Sequence, residues 1–291
     1  MTRNAVDASV NCSAGASCLR SGGIEIVLRY YSEFHRSKTI KRAEAAALAK
    51  AGLKIGVVYQ DIQNAARYFS FSLGHRAGLY AYNYAVSEMR QPPGSGIYFS
   101  ADFDATANEV KNDVMPYFEG VKKGFEDASG GRPDYAVGVY GSGAVCTALA
   151  AAKLASYFWL CGSTGYRDFQ NYYKSKKWHF RQFAPEQHLC GLEIDWNETN
   201  PLLPDAGAFQ LATNLDEGGT PPAGGAETYT VIARSGLRLR SGPGVEFDAI
   251  GLMPFGSVVR IVERNGAWAM IDKNGDGAGD GFCLASFLRP A

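Results

Sequence analysis

The chain has 291 residues, 46% hydrophobic and 20% charged, which leaves room for two globular domains and excludes wholesale disorder. Its 29 Lys and Arg balance 29 Asp and Glu, so no sequence-wide basic field draws it to nucleic acid or anionic lipid. No apolar run approaches the roughly 20 residues that a membrane span needs.

Short strand-like segments recur along the first two thirds of the chain, at Ala5–Ala8, Glu25–Tyr30, Lys54–Tyr59, Ile97–Phe103, Tyr135–Tyr140, Tyr157–Cys161, Trp178–Phe183 and Leu192–Trp196. The segments between them carry helix signals. Ala43–Ala51 is Ala-rich and closes on Gly52, a good residue just past a helix end. Leu79–Tyr84 reads as helix. Thr106 with Glu109 three positions later forms a capping box, and Val110, Val114, Phe118, Val121 and Phe125 follow at helical spacing, with Pro116 marking a kink or the true start. Eight alternating units predict an α/β domain, a (β/α)8 TIM-type barrel over residues 1–213, with an open doubly wound sheet as the alternative.

Residues 214–227 are rich in Gly, Pro and acids without apolar periodicity, as a flexible linker is. Beyond them, residues 228–291 predict only hairpins: Gly236–Arg240, Ala249–Met253, Val258–Glu263 and Trp268–Ile271, forming a small all-β barrel with Trp268 in its core. Asp272–Asp280 has acids or Asn at calcium-loop spacing, but Cys283 stands where calcium needs a bidentate Glu, so a Gly-rich turn is the preferred reading. The six cysteines show no paired zinc spacing and are expected to be free thiols in a reduced compartment, although Cys12 and Cys18 could meet across a loop. No metal and no cofactor is called for.

Alternate residues of a strand share a face, so Asp102 and Asp104 in IYFSADFD are expected to point inward together at the strand's C-terminal end, where barrel enzymes place their chemistry. Two close carboxylates split their pKa values, and glycosidic cleavage needs one acid and one anion. Acids recur at other strand ends: Asp7, Asp61, Glu193 and Asp195, of which Asp61 is expected to cap a helix. Gly141-Ser142-Gly143 follows a strand but lacks the GxSxG elbow of a serine hydrolase.

In order, AVDAS, IYFSADFD, VGVYGS, the WL of YFWLCGS, RQF and LEIDWN resemble the bacterial glycoside-hydrolase-like barrel domains related to the family 25 muramidases. The resemblance covers residues 1–200. It implies that Asp7 lines a sugar cleft, that Asp102 positions or stabilises the reacting centre, and that Asp104 inherits the proton donor's place. It matches Asp195 to a final-strand cleft aspartate, Gln182 to a polar residue of the cleft floor and Tyr140 to the end of the fifth strand. Asp104 departs from the muramidase glutamate by one methylene, which sets its proton back by about 1 Å, a misplacement that can cost about 100-fold in rate. Tyr59 is expected to line the cleft beside Tyr140, and Arg29 to hold one of the carboxylates as an ion pair.

The Gly-Leu-Arg-Leu-Arg-Ser-Gly-Pro-Gly stretch with Trp268 and GFCLASFLRP resembles a bacterial SH3 domain, which implies binding of a peptidoglycan stem or bridge peptide. Together the resemblances imply a peptidoglycan-directed glycosidase; a non-catalytic wall-binding protein and an amidase are the alternatives. MTRNAVDASVNCSAG has no apolar h-region, so a protein made in the cytoplasm is expected to reach the wall by phage-type lysis or another route without a Sec signal.

Overall fold

A computed structural model describes residues 2–211, 228–245, 247–265, 267–275 and 279–291. The chain divides into two compact units, one holding the barrel and the other the C-terminal strands. The expected linker lies outside the described residues.

The first unit is a closed eight-stranded barrel in sequential order. Its strands are β1 (Thr2–Asp7), β2 (Ile26–Tyr31), β3 (Lys54–Tyr59), β4 (Gly96–Ala101), β5 (Ala136–Gly141), β6 (Tyr157–Leu160), β7 (Phe180–Leu189) and β8 (Leu192–Thr199). Closure excludes the open doubly wound sheet. Strands β1 to β7 are parallel, whereas β8 runs antiparallel to both β7 and β1. A uniform eightfold βα repeat therefore does not hold at its last unit. Leu189 pairs with Leu192, leaving only Cys190 and Gly191 as the connection, both at positive φ (56° and 75°) as a tight hairpin turn requires. Two residues cannot carry a crossover helix, so the final strand must fold back.

Among the helices are α1 (Ala16–Ser21), α2 (Arg42–Lys50), α3 (Phe71–Asn83), α4 (Ala107–Glu109), α5 (Met115–Ser129), α6 (Gly143–Ala151) and α7 (Phe169–Ser175). The Thr106–Glu109 capping box opens α4, and a π turn over Val110–Val114 runs without a break into α5, so Pro116 marks no helix start but follows the π turn inside one continuous helical run. Helices α3 and α5 touch backbone to backbone. A Cβ on Gly74 would lie 1.8 Å from the Tyr117 carbonyl oxygen, and one on Gly120 2.1 Å from that of Phe71.

Strand alternation divides the barrel's side chains. Ala5, Leu28, Val58, Tyr98, Trp159 and Phe180 fill the interior, while Tyr31, Val57 and Phe99 are buried without belonging to that interior cluster. One staple was not expected: Cys18 of α1 is disulfide-bonded to Cys190 in the β7–β8 turn. The free-thiol reading is corrected for these two residues, because the barrel's closure brings together positions 172 residues apart. Cys12, Cys146, Cys161 and Cys283 are free and buried.

The second unit is a seven-stranded antiparallel sheet, built from β9 (Thr228–Val231), β10 (Leu237–Arg240), β11 (Ala249–Met253), β12 (Val258–Asn265), β13 (Trp268–Asp272), β14 (Gly281–Leu284) and β15 (Leu288–Pro290). Its core holds Val231, Leu239, Met253, Ala269, Ile271 and Cys283. Trp268 is only half-buried, a correction: Ala269 and Ile271 take the inward positions of β13, and period two turns their neighbour away. In the following loop Asp272 Oδ1 accepts from the backbone of Asn274, and Asp280 Oδ2 from that of Lys273, as in a turn. Residues 276–278 of that loop lie outside the described residues.

Candidate active site

The C-terminal ends of β1 to β7 and the beginning of β8 meet at one mouth of the barrel. Here β8's reversal decides which acids arrive. Asp195 pairs in register with Asp7, so the early residues of β8, not its late ones, reach the mouth. Two adjoining hollows open there, of about 320 and 460 Å³, sharing Tyr30 and Asp195 on their walls.

Asp7 is 2% exposed, and both of its carboxylate oxygens accept hydrogen bonds. Its Oδ1 accepts from Tyr30 Oη at 3.0 Å, and its Oδ2 from Gln182 Nε2 at 2.9 Å and Asn197 Nδ2 at 2.7 Å. Burial, with the charge of Asp195 adding to it, pushes its pKa up to about 7 against the pull of those three donors. Gln182 Nε2 also donates to Asp195 Oδ2 at 3.0 Å, while Gln182 Oε1 accepts from Tyr140 Oη and from the Gly162 N–H. One amide thus ties together β1, β5, β7, β8 and the loop after β6. Trp159 lies beneath, its indole N–H donating to Asn197 Oδ1 at 2.8 Å and its ring 4.8 Å from that of Tyr140.

Asp102 lines the first hollow with Ser100, and burial raises its pKa. Its companion does not join it there. Strand β4 ends at Ala101, so the pleat that should align Asp104 with Asp102 is lost within the DFD stretch. Asp104 Oδ1 accepts the Arg167 N–H at 2.7 Å, and Oδ2 pairs with the Arg167 guanidinium at 2.5 Å.

Three further expectations are corrected. Tyr59 is buried outside the cleft, against Tyr80 and Phe99, with its hydroxyl bonded to Asp61. Val58 of β3 and Gln60 directly after it line the first hollow, and the tyrosine beside the cleft is Tyr30. Arg29 holds no cleft carboxylate: it sits on the outward face of β2, where Nε meets Glu44 Oε1 at 2.6 Å and Nη2 meets Oε2 at 3.2 Å. Asp61 caps no helix but accepts from Ser32, Tyr59 and the Phe34 N–H, which pins the loop after β2.

Asp7, Asp102, Asp195, Gln182 and Tyr140 are therefore brought together, and Asp104, Tyr59 and Arg29 are not. Trp159, Asn197 and Arg167 carry no expectation as site residues from the sequence. Trp159 and Asn197 share the inward parity of Tyr157 and Asp195 on their own strands, so period two points to them; Arg167 carries no such signal. Glu193 is exposed and faces His188 across the hairpin, and Ser142 is a buried N-cap of α6. Among the described residues, no cluster of three or more His, Cys, Asp or Glu is placed to hold a metal.

Comparison with known proteins places the fold. YbfG of Bacillus subtilis (strain 168) is 33% identical over 192 residues, covering 62% of this chain and 26% of YbfG. FadG of the same organism is 31% identical over 173 residues, covering 58% and 30%. The chain thus spans less than a third of the length of these relatives. The Tat-secreted protein Rv2525c of Mycobacterium tuberculosis, solved in complex with L-tartrate, superimposes with a TM-score of 0.58 at 23% identity, over 72% of this chain and 99% of that one. A B. stearothermophilus protein solved at 1.07 Å gives 0.51 at 17% identity, over 69% and 97%. Those two likenesses show a shared fold. A family model for the bacterial SH3 domain matches residues 235–289. A second family model matches residues 17–200, more than half of the chain, and the protein therefore belongs to the Rv2525c-like, glycoside hydrolase-like domain family.

Proposed function

We propose that the barrel is a peptidoglycan-directed glycoside hydrolase acting on β-1,4 glycan bonds, held on the wall by its SH3 domain through a stem or bridge peptide. The observation that carries this reading is that Asp102, directly after β4, and Asp195 on β8, opposite strands of an eight-stranded ring, line one hollow. Burial favours the protonated form of Asp102, which suits it to deliver a proton to the leaving glycosidic oxygen as the C–O bond breaks. Asp195, beside the readily protonated Asp7, is the carboxylate that stabilises positive charge at the sugar carbon or takes a proton from the incoming water. Gln182, Tyr140 and Tyr30 position the sugar and hold the aspartates. The Cys18–Cys190 disulfide favours action in an oxidising compartment outside the membrane. No helix among the described residues is long and apolar enough to cross one.

A second reading, a wall-binding protein without hydrolysis, is favoured by one observation: the second aspartate of DFD is engaged by Arg167 and does not line the hollow. The test is to incubate the protein and Asp102→Asn with purified peptidoglycan. New reducing ends from the parent alone support the hydrolase. Wall pull-down without release supports the binding protein, and new amino groups without reducing ends support an amidase.

A further inference from the structure

The DFD stretch contains an aspartate at the position where the resemblance implies a proton donor, yet its carboxylate is committed elsewhere. Asp104 takes three bonds from a single residue: the Arg167 N–H on Oδ1 at 2.7 Å, and the guanidinium on Oδ2 at 2.5 Å and on the Asp104 carbonyl oxygen at 2.6 Å. The connection spans a strand, because Asp104 follows β4, Arg167 follows β6, and β5 lies between them in the barrel.

The segment so held runs from Cys161 to Asp168 and forms one wall of the hollow through Gly162 and Ser163. Its start is hung from the cleft floor by the Gly162 N–H on Gln182 Oε1 at 3.3 Å. Its end is held by Arg167, whose carbonyl also accepts the Ala144 N–H at the head of α6. Between them, the Tyr166 N–H closes a turn on the Ser163 carbonyl. The wall is therefore held at both ends, and Asp104 supplies the side-chain anchor at the second.

We propose that Asp104 and Arg167 form a positioning clamp that fixes the β6–α7 loop as a sugar-contacting wall, and that Asp104 is a positioning residue for substrate rather than the proton donor. This rests on the glycosidase reading for its kinetic test, but the clamp has a readout of its own. A donor shortened by one methylene is improved by Asp104→Glu, which restores reach. A clamp fitted to an aspartate is loosened by the same change.

Kinetics of reducing-end release are measured for the parent, Asp104→Asn, Asp104→Glu, Arg167→Ala and the Asp104→Asn/Arg167→Ala pair, alongside amide hydrogen exchange across residues 161–168. The clamp predicts that Asp104→Asn and Arg167→Ala each raise KM by about tenfold while kcat stays within about threefold, that the pair is no worse than either alone, and that the loop exchanges faster in all three. Asp104→Glu gains no rate. A kcat lowered about a thousandfold by Asp104→Asn with Arg167→Ala unaffected, or a kcat raised by Asp104→Glu, overturns it. If the parent releases no reducing ends, the glycosidase reading falls by itself; exchange that is faster in both single variants still supports the clamp, and unchanged exchange refutes it.

Discussion

Asp7 and Asp195 are register partners across the β1–β8 ladder, and a single amide nitrogen, Gln182 Nε2, donates to a carboxylate oxygen of each. Two acids are thus held side by side at the cleft, and burial with mutual repulsion makes the inner one, Asp7, a reluctant anion.

Stability should report this pair. Asp7 binds its proton more tightly folded, at about 7, than unfolded, at 3.8, so the folded state carries more protons between those values. The associated stability is fully present below about pH 4 and is lost as pH rises through about 7, on the order of 4 kcal/mol in all. Urea unfolding across pH 4 to 8 should show this decline, and it should flatten in Asp7→Asn. A profile that is flat in the parent refutes it.

Gln182 lowers the Asp7 pKa by donating to its charged form. Gln182→Ala should therefore move Asp7 above about 7, read from the carboxyl carbon shift in an NMR titration. A downward movement would contradict the assigned role.

Asp102→Asn removes the proposed donor while keeping its size. The expected loss of reducing-end release is about 100-fold to 10,000-fold in kcat. In the parent, kcat should fall as pH rises through the raised Asp102 pKa, because the donor must be protonated. An Asp102→Asn enzyme of parental kcat would remove it from the chemistry.

The α3–α5 contact leaves no room for a methyl group at Gly74, where a Cβ would meet a backbone oxygen at 1.8 Å. Helix propensity favours Ala by about 1 kcal/mol, but forcing two helix backbones apart costs more, so Gly74→Ala should lower stability by about 3 kcal/mol. Gly94→Ala, where a Cβ meets nothing within 4 Å, is the control for conformational strain alone at its φ of 84°. Equal losses in the two would refute the steric account.

The Cys18–Cys190 bond closes most of the barrel into one loop. Cys18→Ser should cost about 2–5 kcal/mol by loosening the unfolded chain's constraint, measured as a lower urea midpoint. Reduction of the parent should give the same midpoint as the variant.

Much of this protein was legible without coordinates, because local periodicity is written residue by residue. Lys54–Tyr59 and Ala249–Met253 match observed strands end to end, and Thr106 with Glu109 forms the capping box its spacing implies. Period two also points Asp102 inward, where it lines the hollow beside Ser100; applied to β3 and the residue after it, it turns Tyr59 outward and brings Val58 and Gln60 to the cleft. What only the tertiary structure decided depends on partners distant in sequence. The β7–β8 hairpin reverses the last strand and so sets Asp195 beside Asp7; barrel closure joins Cys18 to Cys190; and Arg167, 63 residues away, draws Asp104 out of the pair its spacing promised. A strand's own pattern fixes which way a side chain points while the strand lasts, and past Ala101 the neighbours decide.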